Sequence, residues 1–112
     1  MTNKVFLVFS TCPDEAGARH LAGAVVAEKL AACVNLQAGL TSIYRWDGET
    51  REDRECLLIM KTVENRLEAL IERVRALHTC ELPEIVAVPV SAGLPGYLQW
   101  VADECREPAA SA

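Results

Sequence analysis

The chain has only two histidines among its 112 residues, and it lacks the short motifs by which common enzyme classes are recognised. It contains no phosphate-binding loop of the Walker type, no His-Glu-x-x-His zinc motif and no Gly-x-Ser-x-Gly nucleophile elbow. His20 falls in a helical stretch beside apolar residues, where a structural role is more common than general-base chemistry. We therefore predict a protein that is not an enzyme.

Positive charge and long apolar runs are also scarce. Lysine and arginine total 11 against 16 acidic residues, which gives a net charge of −5 and a pI near 5.0. Binding to a nucleic-acid backbone requires clustered Lys and Arg, so we predict no nucleic-acid partner. No apolar stretch approaches the roughly 20 residues of a membrane-spanning helix, and residues 1–4 run into a short apolar segment without a small-residue cleavage site. We expect no membrane partner and a cytoplasmic location.

The cysteines follow no recognisable pairing pattern. There are five of them, an odd number, and none forms a Cys-x-x-Cys pair, so neither a disulfide framework nor a zinc ribbon is indicated. Cys33 and Cys56 lie within apolar stretches, which is typical of small buried hydrophobes. Cys12 and Cys80 lie beside polar residues in predicted loops, which makes them the better candidates for metal or redox chemistry.

The first part of the chain predicts a strand followed by a helix. Residues 5–9 are a run of β-branched, aromatic and aliphatic residues, as expected of a buried central strand. A helix should begin near Asp14, because two acidic residues there complement the helix dipole. Its apolar stripe, which we expect to pack on a sheet, consists of Ala18, Leu21, Ala22, Val25 and Val26.

The middle of the chain predicts a long β-hairpin. From Cys33 to Trp46 the pattern approaches a period of two, and a returning strand follows over residues 52–61. Asp47-Gly48 between them is a strong signal for a tight type I′ turn. Gly39 interrupts the first arm and predicts a bulge or bend. A hairpin of this length should extend beyond the core.

Two further helices and one strand complete the pattern. Thr62 is a predicted N-cap for a helix that ends near His78. Residues 85–88 form the last core strand, with Pro89 indicating a sheet edge. A short final helix should span residues 95–105.

The predicted order β-α-β-β-α-β, with one extra C-terminal helix, is typical of the α+β ferredoxin-like class, in which two helices cover one face of a four-stranded antiparallel sheet. We predict a single domain over residues 1–106 and a disordered tail over 107–112. Two helices leave the second sheet face uncovered, so we expect a symmetric homo-oligomer to cover it.

Several segments together resemble the CutA family of divalent-cation tolerance proteins. The resemblance covers roughly residues 5–104, and it implies a homotrimer of ferredoxin-like subunits, similar in architecture to PII signalling proteins, whose sheets face inward and whose hairpins wrap neighbours. The residues that carry it are Cys12 to Ala16, Ala27 to Asn35, Ser42 to Glu49, Lys61-Thr62, His78 to Val90 and Tyr97 to Trp100.

The resemblance also implies a role in tolerance of copper or another divalent metal ion. A family member with metal-binding evidence uses a thiol at the end of the first strand and two adjacent histidines at the end of the second helix. In this chain Ser10 and Leu77 occupy the first two of those positions, and only His78 matches the third. Cys12 lies two residues after Ser10 and Cys80 lies two residues after His78, and thiolate with imidazole suits copper or zinc. The candidate metal ligands are therefore His78, Cys12 and Cys80, with a helix-capping His78 and ordinary loop thiols as the alternative.

A second hypothesis is a PII-like sensor or scaffold. It binds a small metabolite or a partner protein in clefts between subunits, since aromatic side chains with a few polar groups are typical of ligand sites. For the lysine and the aromatic residues of this set, the alternative is a role in packing or at an interface. For Glu84 the alternatives are a solvated acid at the start of a strand, a carboxylate that orients an imidazole, and a ligand that completes a site for a hard metal ion. The candidate cleft residues are Lys61, Glu84, Trp46, Tyr97 and Trp100.

Overall fold

The computed structural model describes residues 4–107, which form one four-stranded antiparallel sheet and three helices. The predicted element order and the α+β ferredoxin-like class are confirmed. None of the helices within this described range is long and apolar enough to cross a membrane. In chain order the elements are β1 (Val5–Cys12), α1 (Glu15–Ala27), β2 (Cys33–Trp46), β3 (Glu49–Val63), α2 (Glu64–Leu77), β4 (Ile85–Pro89) and α3 (Pro95–Glu104).

The sheet has the strand order β2-β3-β1-β4, so β1 and β3 are central and β4 lies at an edge, as Pro89 predicted. The hairpin turn is also confirmed, because Asp47 and Gly48 both have positive φ values, 54° and 78°. Gly39 has a φ of 78° where the β2–β3 register gains one residue on β2, which is the predicted bulge. The part of the β2–β3 hairpin beyond the bulge, residues 40–55, is called the outer hairpin below. It projects from the core and contributes to a longest dimension of 50 Å.

One face of the sheet carries the main core. Val8 on β1 pairs with Met60 on β3, and both point toward α1 and α2. The apolar stripe of α1 is buried as predicted except at Val26, which is 41% exposed. Because side chains alternate along a strand, the register of β1 against β3 sends every second residue to this face. The remaining buried members of the cluster are Cys12, Ala18, Leu21, Ala22, Val25, Leu30, Ala31, Cys56, Leu58, Leu70 and Val74.

The opposite sheet face, called the open face below, is apolar and incompletely covered in the single chain. Helix α3 packs Val101 and Cys105 against Val5 and Val63 at one end of this face. Away from α3, Val88 lies opposite Leu7 and is 42% exposed. The other apolar members of the open face are Phe9, Leu57, Ile59 and Val86.

The end of α1 is joined to the start of α2 by hydrogen bonds. The N–H of Leu30 donates to the carbonyl of Val25, and Lys29 adopts a positive φ of 61°, which is a left-handed helix terminus with lysine in place of the usual glycine. The buried Arg66 guanidinium donates from Nε to the Lys29 carbonyl and from a terminal nitrogen to the Glu28 carbonyl, both at 3.4 Å. Arg66 thereby satisfies the two carbonyls that directly follow the helix.

Two local predictions were wrong. Thr62 is not the N-cap of α2, because β3 continues to Val63 and the Thr62 hydroxyl donates instead to the Leu30 carbonyl at 2.7 Å. Cys12 does not lie in a loop, because β1 extends to it by pairing with Cys56. Cross-strand pairing decided both cases. Most of the predicted tail lies outside the described residues, although Glu107 is described and its carboxylate lies 3.5 Å from Arg66.

Ser10 provides a test of the main core. It is fully buried, and its hydroxyl has no hydrogen-bond partner among residues 4–107. A buried hydroxyl without a partner is destabilising, so Ser10→Ala should raise the free energy of unfolding by about 1 kcal/mol. The measurement is urea unfolding at a fixed subunit concentration.

Thr62→Val is the matched control, because it removes a buried hydroxyl that does donate a hydrogen bond. It should lower the free energy of unfolding by about 1 kcal/mol. An equal loss at both sites would show that the Ser10 hydroxyl is hydrogen-bonded in solution.

Candidate functional site

A cleft of about 660 Å³ lies between the outer hairpin and the segment that follows α2. The segment over residues 78–84 forms no helix or strand, since α2 ends at Leu77 and Pro83 has no N–H to donate. The hairpin supplies the opposite wall. The lining residues are Thr11, Ser42, Ile43, Tyr44, Trp46, Arg51, Glu55, His78, Cys80, Glu81, Leu82, Pro83 and Glu84.

His78 joins the end of α2 to the end of β1. Its Nδ1 accepts a hydrogen bond from the Cys80 backbone N–H at 3.1 Å, and its Nε2 lies 2.6 Å from the Thr11 carbonyl oxygen. A backbone N–H can only donate and a carbonyl can only accept, so the partners assign the imidazole proton to Nε2. Both ring nitrogens are therefore engaged within the chain, and the ring helps to hold residues 78–80 against the sheet.

Cys12 lies next to this imidazole but is buried. Its Sγ is 3.9 Å from His78 Nε2, and the residue is 4% exposed. Burial above all, together with the neighbouring Cys56 and Cys80 thiols, raises the pKa of the Cys12 thiol from its ordinary 9.0 to about 11. The structure thus brings Cys12 to His78 while disfavouring the thiolate that a metal ion requires.

Cys80 is the exposed thiol of the predicted set. Its backbone is fixed by the bond to His78, and the residue belongs to the cleft lining. Cys12, His78 and Cys80 therefore occur in one neighbourhood, as a metal site needs. Their donor chemistry, imidazole with sulfur, fits copper or zinc.

The geometry does not form a complete metal site. Within residues 4–107, no group of three or more His, Cys, Asp or Glu side chains is positioned to hold a metal ion. His78 would have to release one of its two hydrogen bonds before either nitrogen could bind a metal. The three predicted ligands are near one another but are not arranged around a common point.

Two aromatic side chains form part of the hairpin wall. Tyr44 is 38% exposed and Trp46 is 41% exposed, and they share one strand face because they are two residues apart on β2. The Tyr44 hydroxyl donates to the Asp53 carboxylate across the hairpin. This bond raises the pKa of Tyr44 and holds its ring at the wall.

The predicted ligand-cleft residues separate into three places within one chain. Trp46 and Glu84 line the cleft. Lys61 lies on the open face, where its ammonium donates to the Asn35 side chain. The rings of Tyr97 and Trp100 lie side by side on α3, with centroids 5.6 Å apart and planes tilted by 34°.

Several cleft residues were missed by the sequence reasoning. Tyr44 could have been found, because it shares the period-two pattern of Trp46. Arg51 and Glu55 had no such signal, since their place in the cleft depends on how the hairpin lies over residues 78–84.

A four-stranded antiparallel sheet with two helices on one face and a long hairpin defines the ferredoxin-like, PII-like class of proteins. The crystal structure of CutA from Xylella fastidiosa superposes with a TM-score of 0.89 at 45% identity, covering 91% of this chain and 98% of that one. Residues 6–104 match the family model described as CutA1 divalent ion tolerance protein. The chain belongs to the CutA1 family.

Curated relatives agree with this assignment. The divalent-cation tolerance protein CutA of Thermus thermophilus is 53% identical over 95 residues, which is 85% of this chain and 92% of that protein. Protein CutA 1, chloroplastic, of Oryza sativa is 44% identical over 101 residues, which is 90% of this chain and 57% of the relative. The chain therefore spans little more than half the length of the rice relative.

The two site thiols should differ in reactivity. We expect iodoacetamide at pH 7.5 to modify Cys80 first, because Cys80 is exposed and Cys12 is buried. A pKa about two units above the ordinary value lowers the Cys12 thiolate fraction by about 100-fold. Peptide mass spectrometry against time measures both rates, and modification of Cys12 as fast as Cys80 would contradict the burial.

The raised pKa of Cys12 also makes the stability of the chain depend on pH. Between pH 9 and 11 the unfolded chain has released the Cys12 proton while the folded chain retains it, so this thiol lowers the free energy of unfolding as pH rises through that window. Cys12→Ala should reduce the slope of the free energy of unfolding against pH between pH 9 and 11, which urea unfolding at a series of pH values measures.

Proposed function

We propose that this chain is a homotrimeric protein of divalent-cation tolerance that binds a divalent metal ion, with copper as the first candidate, beside His78. Family membership supports the tolerance role. The observation that carries the metal proposal is the placement of the His78 imidazole beside the exposed Cys80, whose backbone N–H donates to Nδ1 at 3.1 Å. Imidazole and sulfur together favour copper and zinc over calcium and magnesium.

Metal binding at this place requires a local rearrangement. The Nδ1 bond to the Cys80 N–H joins neighbouring residues in an exposed segment, whereas the Nε2 bond reaches a buried strand end. The Nδ1 bond is therefore the easier one to exchange for another partner. Cys80 is the more accessible thiol and needs no removal from the core.

A metal titration tests this proposal. We expect the reduced protein to bind about one Cu(II) or Zn(II) ion per subunit, and we expect His78→Gln to lose that binding because an imidazole is the strongest neutral donor present. Calorimetry under anaerobic conditions measures the stoichiometry. Zn(II) serves as the ion that does not oxidise thiols.

The matched control is His20→Gln, which removes the other histidine from an exposed position on α1. It should bind as the wild type does. Equal affinity in both variants would refute His78 as a ligand, and equal loss in both would indicate non-specific imidazole binding.

The open face supports the proposal of a homotrimer. In the single chain this face exposes Val86 and Val88 and half-buries Phe9, Leu57 and Ile59, a contiguous apolar area of the kind that marks an interface. Three copies that cover one another's open faces satisfy the symmetry expected of soluble oligomers. The projecting hairpin provides a second surface for contact with a neighbour.

A charged substitution on the open face tests the assembly. Val88→Glu should lower the mass in solution from three subunits toward one, because assembly would bury an unpaired carboxylate. Light scattering after gel filtration measures the mass. Val26→Glu is the matched control, since Val26 is 41% exposed on α1, close to the 42% of Val88, but lies off the open face. A trimeric Val88→Glu would contradict this interface.

The cleft itself favours a second candidate function, that of a sensor for a small molecule. Its volume of about 660 Å³ lies in the range of small-molecule sites, and Tyr44 and Trp46 offer aromatic faces beside polar groups. In the single chain Lys61, Tyr97 and Trp100 lie outside the cleft, so they would contribute to this ligand site only through contacts between subunits.

The cytoplasmic location stays a prediction. One relative is named as chloroplastic, and one solved structure from Archaeoglobus fulgidus is titled as periplasmic, so location varies with the source. Fractionation of the source cells tests it directly.

A further inference from the structure

Two of the five cysteines face each other across the sheet. In the antiparallel register Cys12 on β1 is directly opposite Cys56 on β3, and both side chains belong to the main core beneath the helices. Cys33 lies opposite Lys61 instead, and no other two cysteines are matched in the strand registers of residues 4–107. Spacing along the chain does not reveal this pair, because the sheet brings its members together from distant segments.

The geometry of an antiparallel sheet fits a disulfide at this position. Residues directly opposite each other have Cα atoms about 4.5 or 5.5 Å apart, depending on whether they exchange hydrogen bonds. Residues joined by a disulfide have Cα atoms roughly 4.4 to 6.8 Å apart. Both antiparallel spacings fall within that range, and the two side chains point to the same face of the sheet. Cys12 and Cys56 can therefore be bridged while both strands keep their register.

The pair lies at the end of the β1–β3 ladder. The register of these strands runs from Val5 opposite Val63 to Cys12 opposite Cys56, and the outer hairpin ends at the residue before Cys56. The last pair of a ladder opens more readily than a central one, because fewer contacts hold it. A covalent bond here would fix the base of the outer hairpin to the end of β1.

A surface depression of about 110 Å³ borders the pair from the helix side. Cys56 lines it together with Asp14 and Glu15 at the start of α1 and with Gly39 at the bulge. Helix α1 packs on the face of the sheet opposite the open face. Subunits that cover the open face therefore do not close the approach to Cys56 beside the start of α1.

We infer that Cys12 and Cys56 form a disulfide in oxidising surroundings, which locks the base of the outer hairpin to β1, and that they remain two thiols in reducing surroundings. With glutathione disulfide as the oxidant, the Cys56 sulfur forms a mixed disulfide and releases one glutathione. The Cys12 sulfur then attacks the Cys56 sulfur and releases the second glutathione. Two electrons pass to glutathione, and each protein thiol proton ends on a glutathione thiol. The inference goes beyond both candidate functions, since it uses neither His78 nor the cleft.

Disulfide mapping of the full-length native protein tests the inference. The reduced protein is incubated overnight with an excess of oxidised glutathione, since burial of both thiols slows the exchange. It is then alkylated in denaturant, digested and analysed by mass spectrometry. We expect peptides joined through Cys12 and Cys56 in most of the molecules. Cys12 joined to Cys80, or Cys12 and Cys56 both recovered in alkylated form, would overturn the inference.

Unfolding of the oxidised and reduced forms measures the lock. A disulfide that closes a loop of about 45 residues restricts the unfolded chain, so oxidation should raise the midpoint of unfolding in guanidinium chloride by roughly 1 M at a fixed subunit concentration. Cys56→Ala should abolish this rise. Cys105→Ala is the matched control, because it removes another buried thiol outside the pair, and it should retain the rise.

Each variant is compared with its own reduced form, which cancels the effect of the substitution on stability. A linked pair of Cys12 and Cys56 without a higher midpoint would overturn the lock. An equal rise in Cys56→Ala and Cys105→Ala would assign the effect of oxidation to other thiols and would overturn it as well.

Discussion

The antiparallel pairing of β1 with β3 is the interaction on which the rest of the structure depends. Its register, from Val5 opposite Val63 to Cys12 opposite Cys56, places both strands at the centre of the sheet. Because side chains alternate, this register sends Val8 and Met60 under the helices and Leu7 and Lys61 to the open face. A slip of one residue would exchange the two faces and bury the Lys61 ammonium in the core.

The same pairing brings the cleft residues together. By extending β1 to Cys12, it carries the Thr11 carbonyl to the end of α2, where His78 can donate to it. Cys12 becomes a buried strand residue, and burial keeps its thiol protonated. The features that make the site accessible lie instead on the segment after α2 and on the outer hairpin, which have little core of their own. The accessible metal donors therefore come from the segment after α2, whereas the rigid base of the cleft comes from the end of β1.

The two candidate functions make different demands on this arrangement. A metal ion needs several donors around one point, and the free chain engages both nitrogens of His78 elsewhere. A small molecule needs a concave surface with apolar and polar groups, and the cleft of the single chain has both.

Local patterns determined most of the architecture. Periodicity identified the helices and strands, Asp47-Gly48 and Gly39 specified the turn and the bulge, and Pro89 marked an edge, because each of these signals depends on near neighbours in the chain. Tertiary structure alone decided that Thr62 bonds to Leu30, that Cys12 is buried and that Lys61 lies apart from Glu84. It also decided that Arg51 and Glu55 meet His78 across a cleft. Those outcomes follow from pairing between residues far apart in sequence, and no local pattern encodes which distant residues a strand or hairpin will face.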